Sequence, residues 1–171
     1  MSMNKALIDA FNYANIPSSY HHKSLKQMGE VAKPMLDYVT TDMVTDIRLG
    51  RGVCLEGSDD LLCIEALALY GKSAVARGIR TCMFDYFDFY KALDDLDHPV
   101  WDCQLIVFPE LDDPWRETNP FSADMQVALE RYLMYFLTRE VAISFFAANP
   151  SPWWPSRMMD RLFSSAKRIK L

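Results

Sequence analysis

Few side chains in this sequence are spaced for chemistry, and most of those read as structural. The four cysteines are Cys54, Cys63, Cys82 and Cys103. No pair has metal-ligand spacing, and three lie in or beside apolar runs, so buried reduced thiols are expected, with a metal site or disulfide as the alternative. His21 and His22 are neighbours and point different ways on most backbones, while His98 is remote. Gly71-Lys72-Ser73 copies the end of a phosphate loop but falls inside a helical run and follows no strand. Asp94, Asp95 and Asp97 read as a solvated acidic helix end. Trp153-Trp154, held between Pro152 and Pro155, is a stiff aromatic element. It could serve as a core plug, an interface anchor or a stacking platform for single-stranded bases. No cofactor and no metal are expected.

The elements that would position a site can be read from hydrophobic patterning. The chain has 171 residues, half of them hydrophobic, enough for one domain with a substantial core. Its net charge of −5 disfavours broad binding to nucleic acid, and the one basic run is Lys167, Arg168 and Lys170. No stretch has the length and apolarity of a membrane span, and the N-terminus lacks a signal-peptide pattern.

Helices are predicted over Met3 to Tyr13 and Met35 to Asp46, with a break at Asn15-Ile16-Pro17-Ser18-Ser19-Tyr20. An alternation follows. Strands are predicted over Gly52 to Glu56, Thr81 to Asp85, Gln104 to Phe108, Val141 to Ala147 and Lys167 to Leu171. Helices fall between them over Leu61 to Arg77, Asp88 to Leu96, Ala123 to Arg139 and Pro155 to Phe163, the first of these ended by Gly78. Strands alternating with helices imply a parallel sheet covered on both faces. In such folds ligands sit at the carboxyl ends of the strands, here after Glu56, Phe108 and Ala147.

Those segments resemble the nucleotide-binding motifs of the DnaC/IstB-type helicase loaders, a branch of the AAA+ ATPases. Asn15 to Tyr20 followed by Ser24-Leu25 is similar to the lead-in of those loaders. Val53 to Gly57 (VCLEG), the long helix, and Ala76 to Gly78 (ARG) match their strand, P-loop helix and closing turn. Gln104 to Pro114 (QLIVFPELDDP) looks like the Walker B strand, Phe145 to Trp154 (FFAANPSPWW) like the sensor strand, and Met158 to the end like the stretch with the trans-acting arginine. The resemblance implies an α/β, three-layer α-β-α P-loop NTPase-like (AAA+) domain with a mainly parallel sheet and no C-terminal lid. It would be one domain over 1–171, with a helical lead-in over 1–48, a sheet core over 49–171 and no separate helicase-binding domain ahead of it.

The chain departs from the family where the chemistry should be. A working P-loop is GxxxxGK followed by Ser or Thr: glycines let amides wrap the phosphates, lysine neutralises them, and the hydroxyl ligates magnesium. Counting from Gly57, the second glycine is Leu62, the lysine is Cys63 and the hydroxyl residue is Ile64. Asp59 and Asp60 stand where phosphates would lie, and each like-charge contact at about 4 Å costs about 4 kcal/mol at an effective dielectric of about 20. As helix-capping residues the two aspartates make better sense. A site remodelled for another ligand is the alternative. Pro109 replaces the magnesium-holding aspartate of Walker B, leaving Glu110 with nothing to activate, and Asn149 at the sensor position is a relic.

The expected function is therefore that of a non-hydrolysing protein, not an ATPase. It would act by protein contact in replication or recombination, in a bacterial, phage or plasmid setting and in the cytoplasm. Its expected partners are a replicative helicase, a loader or another AAA+ subunit, met through Trp153, Trp154, Arg157 and Arg161. For Arg161 an ordinary surface ion pair is the alternative. Two other readings stay open. One is a single-stranded DNA accessory factor using Trp153, Trp154, Lys167, Arg168 and Lys170; the other is an enzyme with unconventional nucleotide use.

Overall fold

The apolar runs that read as strands pair into one five-stranded sheet in the computed structural model, which describes residues 4–109, 122–146 and 156–171. The strands are β1 (Gly52–Glu56), β2 (Thr81–Met83), β3 (Leu105–Phe108), β4 (Ala142–Phe146) and β5 (Ala166–Lys170). Their order is β2-β3-β4-β1-β5, and each neighbouring pair is parallel. The helices are α1 (Lys5–Tyr13), α2 (Lys33–Thr41), α3 (Met43–Arg48), α4 (Asp60–Val75), α5 (Tyr86–Ala92), α6 (Ala123–Thr138) and α7 (Ser156–Ser164).

Side chains alternate across the pleat, and both faces are buried. Val53, Leu55, Met83, Leu105, Val107, Ala142, Phe146 and Ile169 point to a layer built on α1 to α4. Cys54, Cys82, Ile106, Phe108, Ile143 and Phe145 point to the opposite layer of α5, α6 and α7. The result is the expected α-β-α sandwich. Helix α4 closes through Gly78, whose φ of +77° suits a residue without a β-carbon.

Most element bounds differ from the sequence expectation by a residue or two, and three differences have an identifiable local cause. The helix expected over Met35 to Asp46 is two helices, broken at Asp42. The hydroxyls of Thr40 and Thr41 both donate to the Asp37 carbonyl (2.9 Å each), a back-bonding pattern that bends and ends helices. The helix expected over Asp88 to Leu96 instead spans Tyr86–Ala92, because Asp85 caps it by accepting from the Asp88 amide (2.7 Å). That cap also ends β2 at Met83, short of the expected Asp85. Between Ser24 and α2, within Leu25–Ala32, lie two short 3-10 turns kinked at Gly29 that patterning did not anticipate.

Candidate functional site

Strand β1 delivers the chain to the sheet's carboxyl end, and Gly57, Ser58 and Asp59 turn it into α4. Asp59 caps the helix, its Oδ1 accepting from the Leu62 amide at 3.1 Å, while its carbonyl accepts from the Cys63 amide at 3.1 Å. These amides, which a phosphate would need as donors, are thus taken by the chain itself. The helix already starts at Asp60, so residues 60–62, ahead of the lysine position, are helical. Ser58, Asp59 and Asp60 are exposed, and Leu61 stands 79% exposed beside them.

Cys63 closes the turn from inside. Its thiol is fully buried, and a β-carbon placed on Gly57 would come within 2.6 Å of its Sγ. Burial, reinforced by the charges of Asp60 and Asp59, pushes this thiol up to about 11. It is therefore neutral at physiological pH and supplies no cation. Ile64 is half-buried. The tip of β1 is tied to the sheet's edge: Glu56 pairs with Arg168 of β5, and its carbonyl accepts from the Leu171 amide at 2.9 Å.

Pro109 follows β3, which is separated from β1 by β4. It borders a cavity of about 760 Å3 whose walls include Asn15 and Pro17 from the lead-in, Phe84, Asp85 and His98. The lead-in is docked there by the Met83 amide, which donates to the Ala14 carbonyl at 3.0 Å. Its far end is clamped by Lys72, whose ammonium donates to the carbonyls of His21 (2.8 Å) and Lys23 (2.5 Å). The lysine of Gly71-Lys72-Ser73 thus has a structural task in the last turn of α4. His21 Nε2 donates to the Ile16 carbonyl at 2.9 Å, and His98 Nδ1 accepts from the Val100 amide at 3.1 Å.

Arg157 and Arg161 lie one turn apart on α7 and are exposed, while Met158 and Leu162 beside them are buried. Among the described residues neither arginine has a carboxylate within ion-pair distance. Glu110, Asn149, Trp153 and Trp154 lie outside the described residues. All four cysteines are buried free thiols. Among the described residues no three His, Cys, Asp or Glu side chains are grouped to hold a metal ion, and no helix is long and apolar enough to cross a membrane.

Sequence patterning missed two features of the sheet's centre. Ser144, in an otherwise apolar strand, accepts from the Val53 amide (2.9 Å) and donates to the Tyr70 hydroxyl (3.3 Å) in the core. A lone serine in AISFF and a tyrosine in the apolar run of α4 were the available signals. The packing of Cys63 on Gly57 had none, since it depends on how far α4 winds back toward β1.

No protein-family model matches the sequence, and no curated protein matches it. Solved structures do. A DnaC helicase loader is 18% identical, covering 94% of this chain and 98% of its own, with a TM-score of 0.58. A protein described as a primosome component from Streptococcus pyogenes serotype M3 is 16% identical over 99% of this chain and 97% of its own, at 0.61. The replication initiator DnaA, bound to AMPPCP and single-stranded DNA, is 15% identical over 91% of this chain, at 0.64. The chain spans about half the length of that DnaA, 51%. At these identities the likeness is one of fold, and the fold is that of DnaC-like AAA+ domains.

Proposed function

We propose that this chain is a non-hydrolysing AAA+-like protein that acts by protein contact in DNA replication or recombination, as an accessory or regulator of helicase loading. The observation that carries the reading is the occupied turn between β1 and α4. Cys63 packs on Gly57 where a P-loop lysine would reach out, and Asp59 satisfies the amides a phosphate would need. Two exposed carboxylates, Asp59 and Asp60, add repulsion toward a triphosphate. A domain that neither binds nor cleaves ATP retains its surfaces, and the exposed Arg157 and Arg161 of α7, which have no carboxylate partner among the described residues, are suited to meet a neighbouring subunit. The replication setting draws support from the DnaC and primosome-component folds.

Affinity capture from the native cells, with nuclease added, tests this. The reading expects a replicative helicase, a loader or another AAA+ subunit to be retained on the tagged wild-type chain and lost from an Arg157→Ala/Arg161→Ala chain. Retention that vanishes with nuclease treatment alone would favour a single-strand DNA factor instead.

A further inference from the structure

The sheet has one edge that the described residues leave open. Strand β5 pairs with β1 alone. The Gly52 amide donates to the Ser165 carbonyl (3.1 Å) and the Leu171 amide to the Glu56 carbonyl (2.9 Å), which fixes the ladder's phase. In a parallel ladder of that phase, residues 165, 167, 169 and 171 aim their backbone groups at β1. The N–H and C=O groups of Ala166, Arg168 and Lys170 therefore face outward. Among the described residues none of these groups has a hydrogen-bond partner.

Charge on this edge is of one sign. Lys167, Arg168 and Lys170 are all exposed, and among the described residues only Arg168 is paired, with Glu56. Lysines on an edge discourage pairing between identical strands, so a second copy of β5 is repelled. They do not discourage a strand of opposite charge. The alternation of outward N–H and C=O groups matches a peptide backbone. A phosphodiester, which only accepts, would meet the carbonyls of Ala166, Arg168 and Lys170 as like dipoles.

We propose that the outer edge of β5 is a docking site for an extended, acidic peptide segment of a partner protein, added to the sheet as a sixth strand. Main-chain hydrogen bonds to Ala166, Arg168 and Lys170 hold it, and Lys167 and Lys170 select acidic side chains on its two faces. The inference rests on the edge alone and stands whatever the turn at Gly57 does with nucleotide.

The test uses the full chain, isotopically labelled, with a capped peptide of alternating glutamate and valine. Its lysine–valine counterpart and an oligothymidylate are the controls. The acidic peptide is expected to bind saturably and to slow exchange of the Arg168 and Lys170 amides, leaving those of Lys167 and Ile169, already bonded to β1, unchanged. Lys170→Pro removes one outward donor and one selecting ammonium group, and no ladder bond to β1. It is expected to weaken the peptide by about tenfold, about 1.4 kcal/mol, with an unchanged circular dichroism spectrum. Lys167→Glu/Lys170→Glu is expected to reverse the preference toward the lysine–valine peptide. The protection pattern on the wild-type chain decides independently of any variant. Equal binding of both peptides, binding without protection at Arg168 and Lys170, oligothymidylate on the same residues, or protection that grows with protein concentration alone would each overturn the proposal.

Discussion

The Sγ of Cys63 lies so close over Gly57 that a β-carbon on the glycine would approach it to 2.6 Å. This contact joins the first residue of the turn after β1 to the seventh position of the motif, where a nucleotide-binding loop carries its lysine. Gly57→Ala is expected to overpack the turn and cost about 1–3 kcal/mol in chemical denaturation. In Gly57→Ala/Cys63→Ala the obstruction is gone, so the double variant is expected to be more stable than the sum of the single effects. Additive losses would show that the thiol does not fill the glycine's space.

Asp59 and Asp60 divide in their roles. Asp59→Ala removes the acceptor for the Leu62 amide and is expected to lower stability by about 0.5–2 kcal/mol. Asp60→Asn removes only an exposed first-turn charge and is expected to cost a few tenths of a kcal/mol, a dipole effect that salt reduces. Equal losses from the two variants would contradict the capping geometry.

The buried thiol gives a pH signature with a definite sign. The Cys63 thiol is held above its ordinary value of 9.0, at about 11, by burial first and by Asp60 and Asp59 next. Below about pH 9 folded and unfolded chains both carry the proton, so this group's stabilisation is complete there. Above it the unfolded chain ionises first, binds fewer protons than the folded chain, and stability falls as pH rises through about 11. The difference between wild type and Cys63→Ala in denaturant midpoint, followed across that window, is expected to shrink with rising pH. A constant difference would mean the thiol is not shielded.

Much of this architecture is legible in the sequence, for a physical reason. Strands buried on both faces are largely apolar, so VCL, LIVF and AISFF announce themselves, and Gly78 marks the end of α4. Boundaries set by a single side chain are harder. Asp85 reads as a strand end yet acts as a cap, and the threonines that break the helix at Asp42 look like ordinary surface residues. Within the site, the substitutions at Leu62, Cys63, Ile64 and Pro109 are plain from spacing, whereas the inward packing of Cys63 is a tertiary fact. That β5 is an edge depends on strand order, which only long-range pairing decides.

The arginines of α7 carry the proposed partner contact, and their removal is expected to leave the fold intact. Arg157→Ala and Arg161→Ala remove exposed charges that have no carboxylate partner among the described residues, so the unfolding midpoint is expected to stay within about 0.5 kcal/mol of wild type. Loss of two interface arginines is expected to weaken a captured partner by about 2 kcal/mol or more. Large destabilisation with intact binding would assign them to the domain's own packing.

Titration of the full chain with Mg-ATP at millimolar concentration, followed by calorimetry and by the melting temperature in parallel, addresses the central claim most directly. With the turn filled by Cys63 and faced by Asp59 and Asp60, no saturable heat and no shift in melting temperature are expected. A saturable heat accompanied by a rise in melting temperature that grows with ligand as mass action requires would contradict the account.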